Sequence, residues 1–352
     1  MQENTFLLYG ANGYTGALIA RYAAQYGLLP ILAGRNESAV AEVARKENLP
    51  YIIFNLEDEG SLLAALKKVK VVVHAAGPYP YTAMQMVKAC IKTGTHYLDL
   101  NGDLRIFEQL YKLDAEARQS GMMLMPGVGF DVVPTDCLAL LLKKALPDAV
   151  SLKLAFATLG GISQGTAKSI IGKLGEGGIV RRENKLVKVP IGHNGMWVDF
   201  GSKKHFVMSV PLGDLLTAAI TTGIPNIETY TAIAPPAYKL LKLQDLFNPV
   251  LRTAFIRDML KKIIGRRPAG PSDNKRDNSN SFIWGQVENA AGKRVEATIT
   301  GPEAYTITLH STLLIAKSIL EGDVAAGYQT PAGLYGESLV KEIEGVVVNI
   351  SM

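Results

Sequence analysis

Three glycines three residues apart lie in the run Gly10-Ala11-Asn12-Gly13-Tyr14-Thr15-Gly16. The run follows the short apolar segment Phe6–Tyr9 and opens the helix-patterned stretch Gly13–Tyr26. Glycine lets a chain turn sharply and lets backbone approach a bulky anion. The start of a helix adds unsatisfied N–H groups and the positive end of the helix dipole. Strand, glycine turn and helix in this order make a cradle for a dinucleotide pyrophosphate. The bland alternative is a tight strand-to-helix turn with no ligand, and the βαβ pattern around the run favours the cradle.

The next apolar segment, Pro30–Ala33, ends in Gly34-Arg35-Asn36, with no acid before Glu37. An acid here would take a ribose 2′-hydroxyl and repel a 2′-phosphate, whereas the forked donors of an arginine suit that phosphate. The expected cofactor is therefore NADP(H). Gly10, Asn12, Gly13, Tyr14, Thr15, Gly16, Arg35 and Asn36 would hold its pyrophosphate and adenosine ribose. Asn55 and Leu56 end the third strand, where adenine lies. Ala76, Gly77 and Pro78 end the fourth, where small residues admit the nicotinamide ribose. Ligands bind beyond the carboxyl ends of parallel strands, so Tyr97, Asp99, Asp103 and Asp131, after the fifth and sixth strands, are the candidate catalytic residues. Against each stands a turn or helix-cap role. A Tyr-x-x-x-Lys pair, Tyr238 and Lys242, is discounted, because it lies far outside the strand–helix repeat. The five histidines show no metal-ligand spacing, so no metal is expected. His74 and His96 read as core residues of buried strands.

These residues need a scaffold. Apolar runs at Phe6–Tyr9, Pro30–Ala33, Tyr51–Phe54, Val69–His74, His96–Leu98 and Met122–Met125 alternate with helical stretches, including Thr82–Lys92 and Leu104–Ser120. That pattern predicts an α/β fold: a Rossmann-type doubly wound parallel sheet of six strands. After Pro126 the rhythm changes. A helix over Leu138–Lys144 precedes strands at Leu152–Ala157, His205–Val210, Glu228–Ala232, Phe282–Glu288 and Arg294–Thr300, the last two joined by a hairpin turn at Asn289-Ala290-Ala291-Gly292. Gly265–Ser281 reads as a surface loop. Helices near Thr312–Leu320 and Gly336–Ile343 close the chain. The expected domains are 1–130, a nucleotide-binding unit; 131–310, a mixed α/β (α+β) substrate domain; and 311–352, helices returning to the first unit.

A chain with 48% hydrophobic and 20% charged residues is not disordered. Its net charge of +5 comes without zinc-finger spacing, an aromatic RNA motif or a basic tail, so no nucleic-acid partner is expected. Two cysteines, Cys90 and Cys137, are too few for a disulfide framework. With no signal-peptide pattern, the expected location is cytoplasmic. Pro236–Arg267 stands apart. Leu240, Leu243, Phe247, Val250, Leu251, Phe255, Met259 and Ile263 recur at helical spacing. Lys239, Lys242, Arg252, Arg257, Lys261, Lys262, Arg266 and Arg267 oppose only Asp245 and Asp258, so this stretch carries +6 in a chain of +5. Three readings are open: a helix pair peripheral to the inner face of a membrane, an acyl-carrier docking face, or a surface helix whose apolar side faces the core.

The N-terminal half resembles the NADP-binding domain of saccharopine dehydrogenase-like oxidoreductases in Gly10–Gly16, Gly34-Arg35, Ala76-Gly77-Pro78-Tyr79, the run from Cys90 to Asp99, and Gly129-Phe130-Asp131 followed by Pro134 and Asp136. The rest resembles the trans-acting enoyl reductases of lipid and polyketide synthesis in Gly165-Thr166-Ala167, Gly177–Arg182, Val198–Gly201, Gly213-Asp214, Gly223–Glu228, Gly270-Pro271-Ser272 and Thr330-Pro331-Ala332. The resemblance implies hydride transfer from NADPH to an activated double bond. An acyl or polyketide-like lipid intermediate is the first substrate class. An amino-acid-derived imine is the second; its carboxylates would need arginines, for which Arg181 and Arg182 are available. A non-catalytic NADP-binding, lipid-associated protein is the third reading. The state of assembly, including a homodimer, stays open.

Overall fold

The computed structural model describes residues 4–351. The side chains of Asp245, Leu246 and Val250 lie outside that description, so the places of Asp245 and Val250 in the helical pattern are not described. The chain forms two compact units, one made of the residues up to Val133 with Tyr305–Leu334, the other of Pro134–Ala304 with the residues from Tyr335 on.

In the first unit, β1 (Thr5–Tyr9), β2 (Leu29–Gly34), β3 (Tyr51–Ile53), β4 (Val71–His74), β5 (His96–Asp99) and β6 (Met123–Met125) alternate with α1 (Tyr14–Tyr22), α2 (Glu37–Glu47), α3 (Glu59–Leu66), α4 (Tyr79–Thr93), α5 (Leu104–Tyr111) and α6 (Asp114–Gln119). The strands pair in parallel in the order β6-β5-β4-β1-β2-β3. β1 and β4 are buried along their whole length, as strands covered on both faces must be. One face packs Leu7, Leu66, Val72, Met86, Val87, Leu110 and Leu124 into a core. The order reverses between β1 and β4, and a crevice opens at the carboxyl ends of strands at such a point. The single helix expected over Leu104–Ser120 is broken at Lys112–Leu113. Asp114, which opens the second piece, takes the backbone N–H of Tyr328 at 2.7 Å.

The second unit begins with α7 (Val133–Ala145), β7 (Ala149–Thr158) and α8 (Gln164–Gly172). Then come β8 (Gly178–Arg182), β9 (Lys185–Val189), β10 (Gly195–Asp199), β11 (Lys204–Ser209), α9 (Asp214–Thr222) and β12 (Asn226–Ala232). The basic stretch forms α10 (Pro235–Leu241), α11 (Gln244–Leu251) and α12 (Ala254–Ile264). The expected loop Gly265–Ser281 holds a short helix, α13 (Asp273–Asp277), capped by Ser272, and the start of β13 (Asn280–Asn289). β14 (Arg294–Pro302) pairs with β13 across the expected turn, where Asn289 Oδ1 accepts the Ala291 and Lys293 N–H groups. The mixed sheet packs Phe200, Tyr230, Phe282 and Trp284 on one face. α7 lies on it where Gly285 leaves room: a Cβ there would meet Leu142 at 2.7 Å.

α14 (Ala304–Leu320) and β15 (Gly327–Tyr328) complete the first unit. β15 adds a seventh parallel strand beside β6, one more than expected. The expected helix over Gly336–Ile343 is a single 3-10 turn at Leu339–Glu342. The chain then forms β16 (Val347–Ser351), which pairs antiparallel with β14. The final residues therefore lie in the second unit rather than returning to the first, because β14 offers them an open strand edge.

Candidate cofactor site

The glycine turn joins β1 to α1, and its three glycines answer to different constraints. Gly10 has φ +90°, and a Cβ on it would lie 2.8 Å from Ala75 and Ala76 at the end of β4. On Gly16 a Cβ would lie 2.3 Å from the Gly10 carbonyl oxygen, so the helix could not approach the turn. Gly13 differs. It is the N-cap of α1 in an extended conformation that any residue adopts (φ −74°, ψ 160°), and a Cβ would meet only the Gly10 oxygen, at 3.2 Å. Folding thus requires Gly10 and Gly16, while glycine at 13 keeps the mouth of α1 clear. The first turn of α1 carries no acid. These residues fit a pyrophosphate. Gly16→Ala is expected to cost about 1–3 kcal/mol of stability. Gly13→Val is expected to cost about 1 kcal/mol of stability, because valine is a poor N-cap and its Cβ crowds the Gly10 oxygen, while weakening NADPH and NADH alike. Undiminished affinity in Gly13→Val would take the phosphate away from this turn.

β2 carries Arg35 to the same edge of the sheet, where it is exposed. The Asn12 side chain reaches that point, since a Cβ on Gly34 would lie 3.3 Å from Asn12 Oδ1. Burial raises the pKa of the Tyr9 hydroxyl, and the Arg35 charge works against that rise. An open depression lined by Arg35, Asn36, Glu37, Ser38 and Ala41 adjoins the arginine. Asn36 spends its side-chain oxygen on capping α2, accepting from Ala39 N at 3.2 Å. Asn55 is exposed beyond β3, whereas the Leu56 side chain is buried in the core with Phe54. Of that pair, Asn55 alone presents its side chain to a ligand.

At the end of β4, a Cβ on Gly77 would meet nothing nearer than the Tyr79 ring at 3.9 Å, so the approach there is open. The sequence reads His74 only as a core residue, quotes Tyr79 only within the resemblance and gives Thr82 no role, yet these three hold this loop. His74 Nε2 lies 3.1 Å from the Ala76 carbonyl and 3.0 Å from Thr82 Oγ1. The Thr82 hydroxyl donates to Ala76 O at 2.8 Å, and the Tyr79 hydroxyl to His74 O at 3.1 Å. Burial lowers the His74 pKa to about 4, so the imidazole is neutral. His96, expected in the core, is only half-buried at the start of β5, where its Nδ1 accepts the Met123 N–H.

The four catalytic candidates divide. Tyr97 and Asp99 are fully buried, and the tyrosine hydroxyl donates to Asp99 Oδ2 at 2.8 Å. Asp99 Oδ1 accepts the N–H groups of Asn101 (2.9 Å) and Gly127 (2.8 Å), fastening the loops after β5 and β6. Burial still outweighs these donors and raises the Asp99 pKa to about 6. Asp103 caps α5, accepting from Arg105 N at 2.9 Å. Asp131 is exposed, and its carboxylate lies so close over Gly102 that a Cβ there would sit 2.6 Å from Oδ2. Burial, then the charges of Asp99 and Asp131, hold the Tyr79 hydroxyl well above its ordinary pKa, so Tyr79 lies near both acids.

In the second unit, Arg181 is committed to backbone: Nε donates to Leu215 O at 2.7 Å and Nη1 to Asn184 O at 2.8 Å. Arg182 Nη2 lies 3.5 Å from His193 Nε2. Lys242 sits 5.0 Å from the centre of the Tyr238 ring, a cation–π contact that accounts for the Tyr-x-x-x-Lys spacing. Among the described residues no cluster of His, Cys, Asp and Glu could hold a metal, and no helix is long and apolar enough to cross a membrane.

A doubly wound parallel sheet with a glycine turn and an arginine at the end of β2 defines an NADP(H)-binding oxidoreductase domain. Residues 6–125 match the saccharopine dehydrogenase NADP binding domain, and the chain is similar to saccharopine dehydrogenase-like NADP-binding oxidoreductases. It is 25% identical to a Caenorhabditis elegans lipid droplet localized protein, over 97% of this chain and 96% of that one. It is 31% identical to a trans-acting enoyl reductase of Mycobacterium leprae, over 38% of this chain and only 34% of the relative. Apo saccharopine dehydrogenase (L-Glu forming) from Saccharomyces cerevisiae superposes with a TM-score of 0.67 at 12% identity, covering 99% of both chains, a likeness of fold. The resemblance, the fold class and the NADP(H) cofactor expected from the sequence are borne out.

Proposed function

We propose that the chain is an NADPH-dependent reductase of an activated double bond in an acyl or polyketide-like lipid intermediate. The observation that carries the substrate class is the commitment of Arg181 to two backbone carbonyls. A substrate bearing several carboxylates needs free guanidinium groups; of the two arginines expected for that task, Arg181 is committed to backbone and Arg182, though exposed, lies against His193. The partial likeness to an enoyl reductase and the full-length likeness to a lipid-droplet protein support the same reading.

When bound, NADPH supplies a hydride. The chain's residues do the rest. Gly10–Gly16 and the first turn of α1 hold the pyrophosphate, Arg35 the 2′-phosphate, and Asn55 borders the adenine. Ala76–Pro78, fixed by His74, Thr82 and Tyr79, set the place of the nicotinamide ribose. Tyr97 and Asp99 act as positioning residues, tying the loop of Asn101 to that of Gly127. Asp131 is the exposed acid at this edge and holds the proton or water exchanged with substrate. Asp103 keeps α5 in place.

The test is NADPH oxidation against enoyl thioesters and against amino acid plus keto acid pairs. Turnover is expected with the thioesters alone, with kcat lowered in Asp131→Asn and NADPH affinity unchanged. Turnover with the amino acid pairs alone would replace this reading with an imine reductase. Tight NADPH binding with no turnover of either would leave a non-catalytic NADP-binding protein.

A further inference from the structure

We propose that α10–α12 form a docking face for an anionic phospholipid surface. The sequence pattern left three occupants for the apolar side of this stretch, and burial removes one of them. Neither α10 nor α12 has a buried residue. Leu240 is 69% exposed, Phe247 56% and Phe255 76%, with Leu243, Met259 and Ile263 also exposed. The reading in which these side chains face the core is not what forms. In α12, Ile256, Leu260 and Ile264 are half-buried, and the helix packs on α8. Phe255, Met259 and Ile263, one position earlier in each turn, make a second apolar stripe that faces solvent.

The segment is nonetheless anchored. Arg252 Nε donates to Gly175 O at 2.8 Å and Arg257 Nη2 to Leu174 O at 2.6 Å, while Gln164 donates to the carbonyls of Gly265 and Arg267. Those two arginines serve the fold. Lys239, Lys262, Arg266 and Arg267 remain exposed, and Lys261 is 3.5 Å from Asp258. An outward stripe of phenylalanine and aliphatic side chains bordered by cations is the composition of an interfacial helix: the rings enter the acyl boundary and the cations meet lipid phosphates. An acidic carrier protein would be met by the cations and would not need the bulky apolar stripe between them.

The experiment is co-sedimentation of the full chain with phosphatidylcholine vesicles, with or without phosphatidylserine, at low and high salt. Binding is expected with the anionic vesicles at low salt and to weaken as salt rises. Each basic side chain near such a surface contributes roughly fivefold. Replacing Lys262, Arg266 and Arg267 with Gln is therefore expected to lower partitioning at least about tenfold. Phe247→Ser with Phe255→Ser is expected to do the same by removing the inserted rings. All five side chains are exposed, so both variants keep the wild-type melt and NADPH affinity. No binding of wild type to anionic vesicles at low salt overturns the proposal, as does binding indifferent to either variant. Vesicle indifference with charge-dependent binding of an acyl carrier protein overturns it in favour of a protein partner. None of these outcomes depends on turnover.

Discussion

Arg35→Ala is expected to weaken NADPH binding about 100-fold, about 3 kcal/mol, while NADH affinity stays within about twofold. The side chain stands exposed at the end of β2, beside Asn12 and an open depression, with no carboxylate before Glu37. Its loss removes a planar fork of donors matched to a phosphate and touches no core contact, so the melting temperature should not move. Arg35→Lys keeps the charge without the fork, and an intermediate NADPH affinity is expected. Titration calorimetry of both cofactors on the three proteins reads the result. Equal affinities of the wild type for NADPH and NADH would remove the 2′-phosphate from Arg35.

The first unit was legible where physics leaves few choices. Phe6–Tyr9 and Val71–His74 are apolar on both faces because helices cover both, and Gly10 and Gly16 stand where no side chain fits. Other features have weak local signals. β8 and β9 are five residues each, without a clean alternation of apolar and polar residues, and are joined by Glu183-Asn184, two non-glycine residues with φ +48° and +64°. That geometry belongs to a type I′ hairpin turn, whose usual mark is Asn-Gly or Asp-Gly. β15 is two residues long and exists because Met123–Leu124 offers it an edge. The helical period of α10–α12 was plain, but periodicity reports which side of a helix is apolar, not whether anything covers it. At the cofactor edge, the glycines and Arg35 announce themselves by type and spacing. His74 and Thr82 do not, because they act through each other and through the Ala76 carbonyl that folding brings to them.

Two buried groups with opposite shifts, His74 and Asp99, set the other large effect. The His74 pKa is lowered from 6.5 to about 4 by burial. A depressed folded-state pKa gives stability that is complete above pH 6.5 and is lost as pH falls toward 4. The Asp99 pKa is raised from 3.8 to about 6, so its contribution is complete below pH 3.8 and is lost as pH rises through 6. Each contribution amounts to about 3 kcal/mol, with opposite sign over nearly the same window. In the wild type the two largely cancel. Asp99→Asn keeps a carbonyl oxygen for the N–H groups of Asn101 and Gly127 and presents an amide to the Tyr97 hydroxyl, so the fold should hold. It also removes the titrating carboxylate and leaves His74 unopposed. Relative to the wild type, the variant is expected to lose about 2–3 kcal/mol on going from pH 7 to pH 4.5. His74→Gln is expected to do the reverse and gain stability over the same interval. Urea unfolding of the three proteins at half-unit pH steps reads these slopes directly. An Asp99→Asn protein that follows the wild-type profile would mean that Asp99 is already ionised throughout, and that its three donors outweigh its burial.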